Sequence, residues 1–121
     1  MEYRKVFIVD DSQIIRDRLI ARLKDIPGIK SIGSASNVTT AFIALSNETP
    51  DVAIVDLQLP DGCGIDILAS IKKNHAGTIV IMLTNYPYAL IKSRCIELGA
   101  DYFFDKSNEF ENVFKIFSTS D

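Results

Sequence analysis

Apolar segments alternate with amphipathic segments five times along the chain, and this pattern predicts the secondary structure. Short runs of apolar, β-branched and aromatic residues predict strands. These strands are expected at Lys5–Val9, Ile29–Ala35, Val52–Val55, Ile79–Leu83 and Tyr102–Phe104. The runs VFIV and TIVIML are apolar almost throughout, which is typical of strands covered on both faces.

The segments between the strands predict helices, which are expected near residues 12–25, 37–47, 64–74, 88–98 and 108–117. Ser12 and Asn37 are suited to cap the first two helices. Gly77 and Gly99 occupy the position after a helix that favours glycine. Because strands alternate with helices of crossover length, we expect one α/β unit with a parallel sheet.

The last predicted helix has an apolar face. Its residues at i, i+3, i+4 and i+7 are Phe110, Val113, Phe114 and Phe117. This spacing places them on one side of a helix. We expect this side to pack against the sheet as core, and a partner-binding face is the alternative.

Length and composition limit the architecture and the function. A chain of 121 residues is expected to form one domain, over residues 1–121. It is 47% hydrophobic and 24% charged, which is typical of a globular protein. Its net charge of −3 argues against direct binding to nucleic acid, because such surfaces concentrate positive charge.

The sequence contains no apolar run near the ~20 residues that cross a membrane, and its N-terminal apolar run is too short for a signal peptide. Cys63 and Cys95 form no CxxC pair. We therefore expect reduced thiols and a cytoplasmic protein. The final residues, FSTSD, suit either a stand-alone protein or part of a longer one.

Polar residues follow the strands at the carboxyl edge of the predicted sheet, where parallel sheets bind ligands. These residues are Asp10, Asp11, Asp56, Thr84, Asp105 and Lys106. Clustered carboxylates repel one another unless a cation lies between them. Oxygen ligands without histidine or cysteine favour a hard ion such as Mg²⁺. With a lysine and a hydroxyl nearby, this set suits transfer of a phosphoryl group to a carboxylate.

Four motifs in this order resemble the receiver domain of two-component response regulators. They are FIVDDS at 7–12, IVDLQLPDGCG at 54–64, MLT at 82–84 and GADYFFDK at 99–106. The resemblance covers essentially the whole chain. It implies a flavodoxin-like, doubly wound sheet of five parallel strands in the order 2-1-3-4-5, with helices on both faces. It also implies a regulatory switch whose only chemistry is its own phosphorylation and dephosphorylation.

The resemblance implies a phosphorylation and metal site. Asp56 matches the phosphoacceptor. Asp10 and Asp11 match the acidic pair that binds Mg²⁺. The expected direct protein ligands of the ion are Asp11, Asp56 and the backbone carbonyl of Gln58.

The resemblance also implies how a phosphoryl group acts. Thr84 matches the switch hydroxyl and Lys106 the lysine that contacts the phosphoryl group. Phe103 matches the switch aromatic residue. Phosphorylation would pull Thr84 inward, allow Phe103 to become buried and change the surface of the fourth helix, fifth strand and fifth helix.

The implied phosphodonor is a phosphohistidine on a sensor histidine kinase or a histidine phosphotransfer protein. Four basic residues of the first helix form either a kinase-docking face or an ordinary solvated surface: Arg16, Arg18, Arg22 and Lys24. The sequence does not identify the kinase or the downstream target, and it indicates no membrane partner.

Three features depart from the family pattern. The family usually has a proline, often preceded by a cis bond, where this chain has Ser107, so we expect a trans bond here. Asn85 replaces a small residue and is expected to narrow access to Asp56. Gln58 and Tyr86 are large where the family adjusts hydrolysis, and we expect an aspartyl phosphate that is shielded from water.

Other classes of protein explain the motifs less well. A flavodoxin-type FMN protein needs a first loop that binds phosphate, and Asp10-Asp11 would repel phosphate without a metal. A haloacid dehalogenase phosphatase needs a second aspartate where Gln58 stands. No P-loop motif is present. The alternative that stays open is a receiver-like adaptor that binds partners without phosphorylation.

Overall fold

The computed structural model describes residues 5–117, which form five helices, a five-stranded sheet and a two-stranded ribbon. The strands are β1 (Lys5–Val9), β2 (Ser31–Ala35), β3 (Val52–Val55), β4 (Gln58–Leu59), β5 (Gly62–Cys63), β6 (Ile79–Thr84) and β7 (Tyr102–Asp105). The helices are α1 (Gln13–Leu23), α2 (Val38–Asn47), α3 (Gly64–Asn74), α4 (Ala89–Glu97) and α5 (Asn112–Phe117).

The five main strands are parallel and lie in the order β2-β1-β3-β6-β7. Counted without the short ribbon, this is the order 2-1-3-4-5. The predicted fold class is therefore confirmed. The carboxyl ends of β1 and β3 are adjacent, so residues that follow these two strands lie close together.

The sheet separates two apolar layers. Val6 and Ile8 of β1 pack in the layer with α1 and α5. Phe7 and Val9 alternate with them and pack in the layer with α2, α3 and α4. β3 is buried throughout, and β6 is buried beyond its first residue. The nearly continuous apolar runs in the sequence thus reflect strands with helices on both faces.

The helix ends follow most of the predicted capping signals. Ser12 and Asn37 each accept a hydrogen bond from the backbone N–H three residues later, at 3.3 Å and 2.8 Å. Gly99 has a φ of 102°, which favours glycine. The prediction for Gly77 is wrong, because its φ is not positive and the residue that ends α3 as its cap is His75.

The last helix begins later than predicted, at Asn112 instead of residue 108. The backbone N–H groups of Asn112, Val113 and Phe114 bond to carbonyls three residues earlier, which gives tight turns before the helix becomes regular. Phe110 is buried before the helix starts, and Val113, Phe114 and Phe117 are buried on it. The prediction that these four residues form core is confirmed.

Two further features concern the cysteines and the helix lengths. Cys63 and Cys95 are free thiols, half-buried and buried respectively. Burial raises the pKa of the Cys95 thiol. Within residues 5–117, no helix has the length and apolar character needed to cross a membrane.

Candidate functional site

The carboxyl edge of the sheet brings together four of the predicted site residues. Asp10 and Asp11 follow β1, and Asp56 follows β3. Each offers a carboxylate oxygen within 4.8 Å of the others. Lys106 follows β7, and its Nζ lies 2.6 Å from Oδ2 of Asp10 and 3.2 Å from Oδ2 of Asp56.

The three carboxylates of this cluster differ in burial, and burial changes the pKa of Asp56. Asp10 and Asp56 are 2% and 6% exposed, whereas Asp11 is exposed to solvent. Burial raises the pKa of Asp56 to about 6, with the carboxylate of Asp10 adding to the effect and Lys106 opposing it. Three carboxylates face one ammonium group, so the cluster can accept a further cation. Its donors are all oxygens, and this chemistry fits Mg²⁺.

Asp10 is held by several local contacts. Its Oδ1 accepts a hydrogen bond of 2.9 Å from the backbone N–H of Ser12, and its Oδ2 pairs with Lys106. Its backbone carbonyl accepts a hydrogen bond of 2.6 Å from Arg16 of α1. Because Asp10 is occupied in this way, the exposed Asp11 has more freedom to bind an ion directly.

The backbone after Asp56 approaches α3 so closely that Gly64 is required. An ideal Cβ at Gly64 would lie 2.0 Å from the backbone oxygen of Asp56. The N–H of Gly64 donates a 2.7 Å hydrogen bond to the carbonyl of Leu57. A side chain at this position would therefore displace the segment that carries Asp56. The sequence shows this glycine only as part of a motif and does not reveal its packing role.

Thr84 and Gln58 lie at the same end of the sheet in different surroundings. Thr84 ends β6 and is fully buried, and its hydroxyl accepts a 3.0 Å hydrogen bond from the N–H of Tyr86. Its carbonyl accepts a 2.8 Å hydrogen bond from the N–H of Lys106. Gln58 belongs to the exposed part of the β4–β5 ribbon, two residues after Asp56.

The position of Phe103 differs from the sequence-based expectation. Phe103 is only 6% exposed and packs in the layer with α2, α3 and α4. It is therefore already buried in this conformation. The structure therefore shows no exposed starting position for Phe103, and its part in the switch stays a prediction.

The segment after Lys106 confirms the prediction made for Ser107, one of the three departures from the family pattern. None of the described peptide bonds is cis, so the bond before Ser107 is trans as predicted. The N–H of Ser107 donates a 2.9 Å hydrogen bond to the carboxylate of Asp105, a bond that a proline cannot make. Asn85 and Tyr86 are exposed beside the site, and their effect on access to Asp56 stays a prediction.

The basic residues of α1 have partners within the protein. The guanidinium of Arg18 lies 4.2 Å from the ring centre of Phe110, and that of Arg22 lies 4.1 Å from the ring centre of Phe114. Arg22 also forms an ion pair of 2.8 Å with Glu111. Together with the bond from Arg16 to Asp10, these contacts give three of the four basic residues a structural role.

The structure also reveals a contact between the site and α2 that the sequence analysis missed. The carboxylate of Asp61 accepts hydrogen bonds from the backbone N–H of Val38 at 2.7 Å and of Thr39 at 3.0 Å. The hydroxyl of Thr39 donates a third bond, of 2.8 Å. The available signal was an acidic residue in the turn that follows the candidate acceptor.

Comparisons with known proteins agree with the fold. The response regulator receiver domain family matches residues 6–118. A protein-glutamate methylesterase/protein-glutamine glutaminase of Treponema denticola is 36% identical over 116 residues, which cover 93% of this chain and 31% of that protein. The response regulator protein PilR of Pseudomonas aeruginosa is 31% identical, over 99% of this chain and 26% of that protein.

A solved structure gives the same result. The signal receiver domain of a DNA binding response regulator from Colwellia psychrerythraea 34H has a TM-score of 0.87 and 28% identity, and the match covers 96% of each chain. The chain therefore belongs to the response regulator receiver domain family, which is regulatory. It spans between 21% and 51% of the length of the curated relatives it matches.

Proposed function

We propose that this receiver domain is a phosphorylation-dependent signalling switch of a two-component system, with Asp56 as its phosphoacceptor. The observation that carries this proposal is the pairing of Lys106 with two buried carboxylates, 2.6 Å from Asp10 and 3.2 Å from Asp56, beside the exposed Asp11. A lysine in this position offsets part of the negative charge before phosphorylation and can contact phosphoryl oxygens afterwards.

The proposed reaction transfers a phosphoryl group from a phosphohistidine of a sensor histidine kinase or a histidine phosphotransfer protein. A carboxylate oxygen of Asp56 forms a bond to phosphorus, and the bond between phosphorus and the imidazole nitrogen breaks. The imidazole keeps the electron pair and takes a proton from solvent. With a pKa of about 6, Asp56 is mainly ionised, and therefore nucleophilic, above that pH.

Asp11, Asp56 and the carbonyl of Gln58 would hold Mg²⁺ directly, with Asp10 beside them. The ion would neutralise phosphoryl oxygens during the transfer. Lys106 would move its ion pair from Asp56 to the phosphoryl group, and the buried hydroxyl of Thr84 would donate a hydrogen bond to a phosphoryl oxygen.

The readout surface in this proposal comprises α4, β7 and α5. It exposes apolar side chains of α4 and β7, with Leu90 87%, Ile96 49% and Tyr102 40% exposed. Thr84 connects this surface to the site through residues 85–88, which lead into α4. A displacement of Thr84 would shift this connection and change how the surface contacts a downstream partner.

A titration with fluoroberyllate, a phosphoryl analogue, in the presence of Mg²⁺ tests the switch. Amide resonances followed by NMR are expected to shift around Asp56 and also in α4 and β7. Asp56→Asn is the control and is expected to show neither set of shifts. Binding at Asp56 without any change in α4 and β7 would instead favour an adaptor that does not respond to phosphorylation.

A further inference from the structure

The side chain of Asp61 attaches the turn between β4 and β5 to α2, a helix that is distant in the sequence. β4 and β5 pair in an antiparallel ribbon, with Gln58 opposite Cys63 and Leu59 opposite Gly62. Pro60 and Asp61 form the turn between them. The three hydrogen bonds of the Asp61 carboxylate, at 2.7, 3.0 and 2.8 Å, all reach the first residues of α2.

This attachment is separate from the ordinary cap of α2. Asn37 lies in the connection between β2 and α2. Its side chain caps the helix by accepting hydrogen bonds from the N–H and the hydroxyl of Thr40, at 2.8 Å and 2.9 Å. The carboxylate of Asp61 accepts hydrogen bonds from the N–H groups of Val38 and Thr39, and Asp61 lies 22 residues after Thr39 in the sequence. The two caps therefore stabilise the same helix end, but of the two only Asp61 belongs to the ribbon.

A second contact shows that the ribbon lies directly against the helix. An ideal Cβ at Gly62 would lie 3.1 Å from a methyl carbon of Val38. Gln58 and Gly62 are exposed, whereas Leu59 is buried and Cys63 is half-buried. The ribbon is only two residues long on each side, so its own pairing gives it little rigidity. Besides the burial of Leu59, its position relative to Asp56 depends on what holds the turn.

We propose that Asp61 is a positioning residue, which fastens the β4–β5 turn to α2 and thereby holds the backbone carbonyl of Gln58 in place to bind Mg²⁺. This inference rests on the proposed function, because the role of Gln58 as a ligand belongs to it. Groups that orient metal ligands typically change metal affinity by roughly ten- to a hundredfold when they are removed.

The test compares Asp61→Ala with Asn37→Ala, which also removes a side-chain cap from α2 but leaves the ribbon attached. Mg²⁺ affinity is measured by calorimetry without any phosphodonor. Asp61→Ala is expected to weaken it by roughly tenfold, and Asn37→Ala by less than about twofold. Equal effects of the two variants, or wild-type affinity in Asp61→Ala, would overturn the inference.

Hydrogen exchange without Mg²⁺ gives a second readout that a general loss of helix stability would not reproduce. Both variants are expected to speed exchange at the start of α2, but only Asp61→Ala should speed it at residues 58–63. Unchanged exchange of the ribbon in Asp61→Ala would contradict the proposed attachment. Failure of the proposed function is recognised separately, as a wild-type protein that binds Mg²⁺ but accepts no phosphoryl group.

Discussion

At the scale of single residues, Asp56 is buried beside the carboxylate of Asp10 and the ammonium group of Lys106. Asp10 and Asp56 share the Nζ of Lys106, and both carboxylates are almost fully buried. The raised pKa of Asp56 indicates that, without a metal ion, burial outweighs the attraction of Lys106. Ionising Asp56 thus costs more free energy in the folded protein than in the unfolded chain, and a bound cation relieves this cost.

Replacing Asp56 by asparagine should therefore stabilise the metal-free protein. The pKa of Asp56 is about 6 in the folded protein against a usual 3.8, so the folded state binds more protons in this range and wild-type stability falls as pH rises through it. At about pH 7.5, Asp56→Asn should raise the free energy of unfolding by about 1–3 kcal/mol.

Urea denaturation in the presence of a chelator measures this difference. The stabilisation should become small near about pH 4, where Asp56 is protonated in the folded protein. An asparagine variant that is no more stable than wild type at the higher pH would show that Lys106 already compensates the buried charge.

Gly64 offers a test of the packing beside Asp56. In Gly64→Ala the new Cβ would meet the backbone oxygen of Asp56, so the free energy of unfolding should fall by about 3 kcal/mol. Gly77→Ala is the matched control, because no heavy atom lies within 4 Å of its Cβ position and its φ is not positive. The control should be neutral or gain up to about 1 kcal/mol in urea denaturation. Similar losses in both variants would contradict the close approach.

The exposed side chains beside the site should control the lifetime of the aspartyl phosphate. If Tyr86 restricts the approach of water to Asp56, Tyr86→Ala should shorten that lifetime several-fold. Tyr88→Ala is the control, because Tyr88 is exposed and its ring centre is 6.3 Å from that of Tyr86. Loss of labelled phosphate with time measures both rates. Equal lifetimes in wild type and Tyr86→Ala would contradict the hypothesis that Tyr86 shields the aspartyl phosphate from water.

At the scale of the elements, the apolar pattern predicted the strands and helices that depend mainly on local sequence. All five main strands and the range of α3 followed from the apolar and amphipathic runs, although β2 begins at Ser31 and not at Ile29. The late start of α5 did not, because Asp105 and Glu109 hold the preceding residues in turns through hydrogen bonds. The β4–β5 ribbon was not predicted, and the hydrogen bonds of its Asp61 reach a helix that is distant in sequence, which an acidic residue in a turn does not identify by itself.

The contacts between α1 and α5 give a prediction at this scale. Arg22 lies over the ring of Phe114 and pairs with Glu111, so Arg22→Ala should lower the midpoint of thermal unfolding. Arg94→Ala is the control, because its ion pair with Glu97, the one it forms within residues 5–117, is 4.0 Å long and lies within one exposed helix turn. Calorimetry at low and high salt should show a smaller effect of Arg22→Ala at high salt. A midpoint that is unchanged in Arg22→Ala would contradict a linking role for these contacts.

At the scale of the whole molecule, parallel strands bring residues from three parts of the chain to one edge. Asp10, Asp11, Asp56 and Lys106 were predicted together because the carboxyl end of each strand can be read from its apolar run. The burial of Phe103 could not be predicted in this way, because it depends on how α4 packs against β7. The site and its proposed readout surface nevertheless share one sheet, in which β6 and β7 are paired.

The central claim is that Asp56 accepts a phosphoryl group with the help of a divalent cation. It is tested most directly by incubating the protein with a small-molecule phosphodonor and separating the products on a phosphate-affinity gel. A slower-migrating species is expected with Mg²⁺, but not with a chelator and not in Asp56→Asn. A species that persists in Asp56→Asn, or wild-type protein that stays unmodified although it binds Mg²⁺, would contradict the claim.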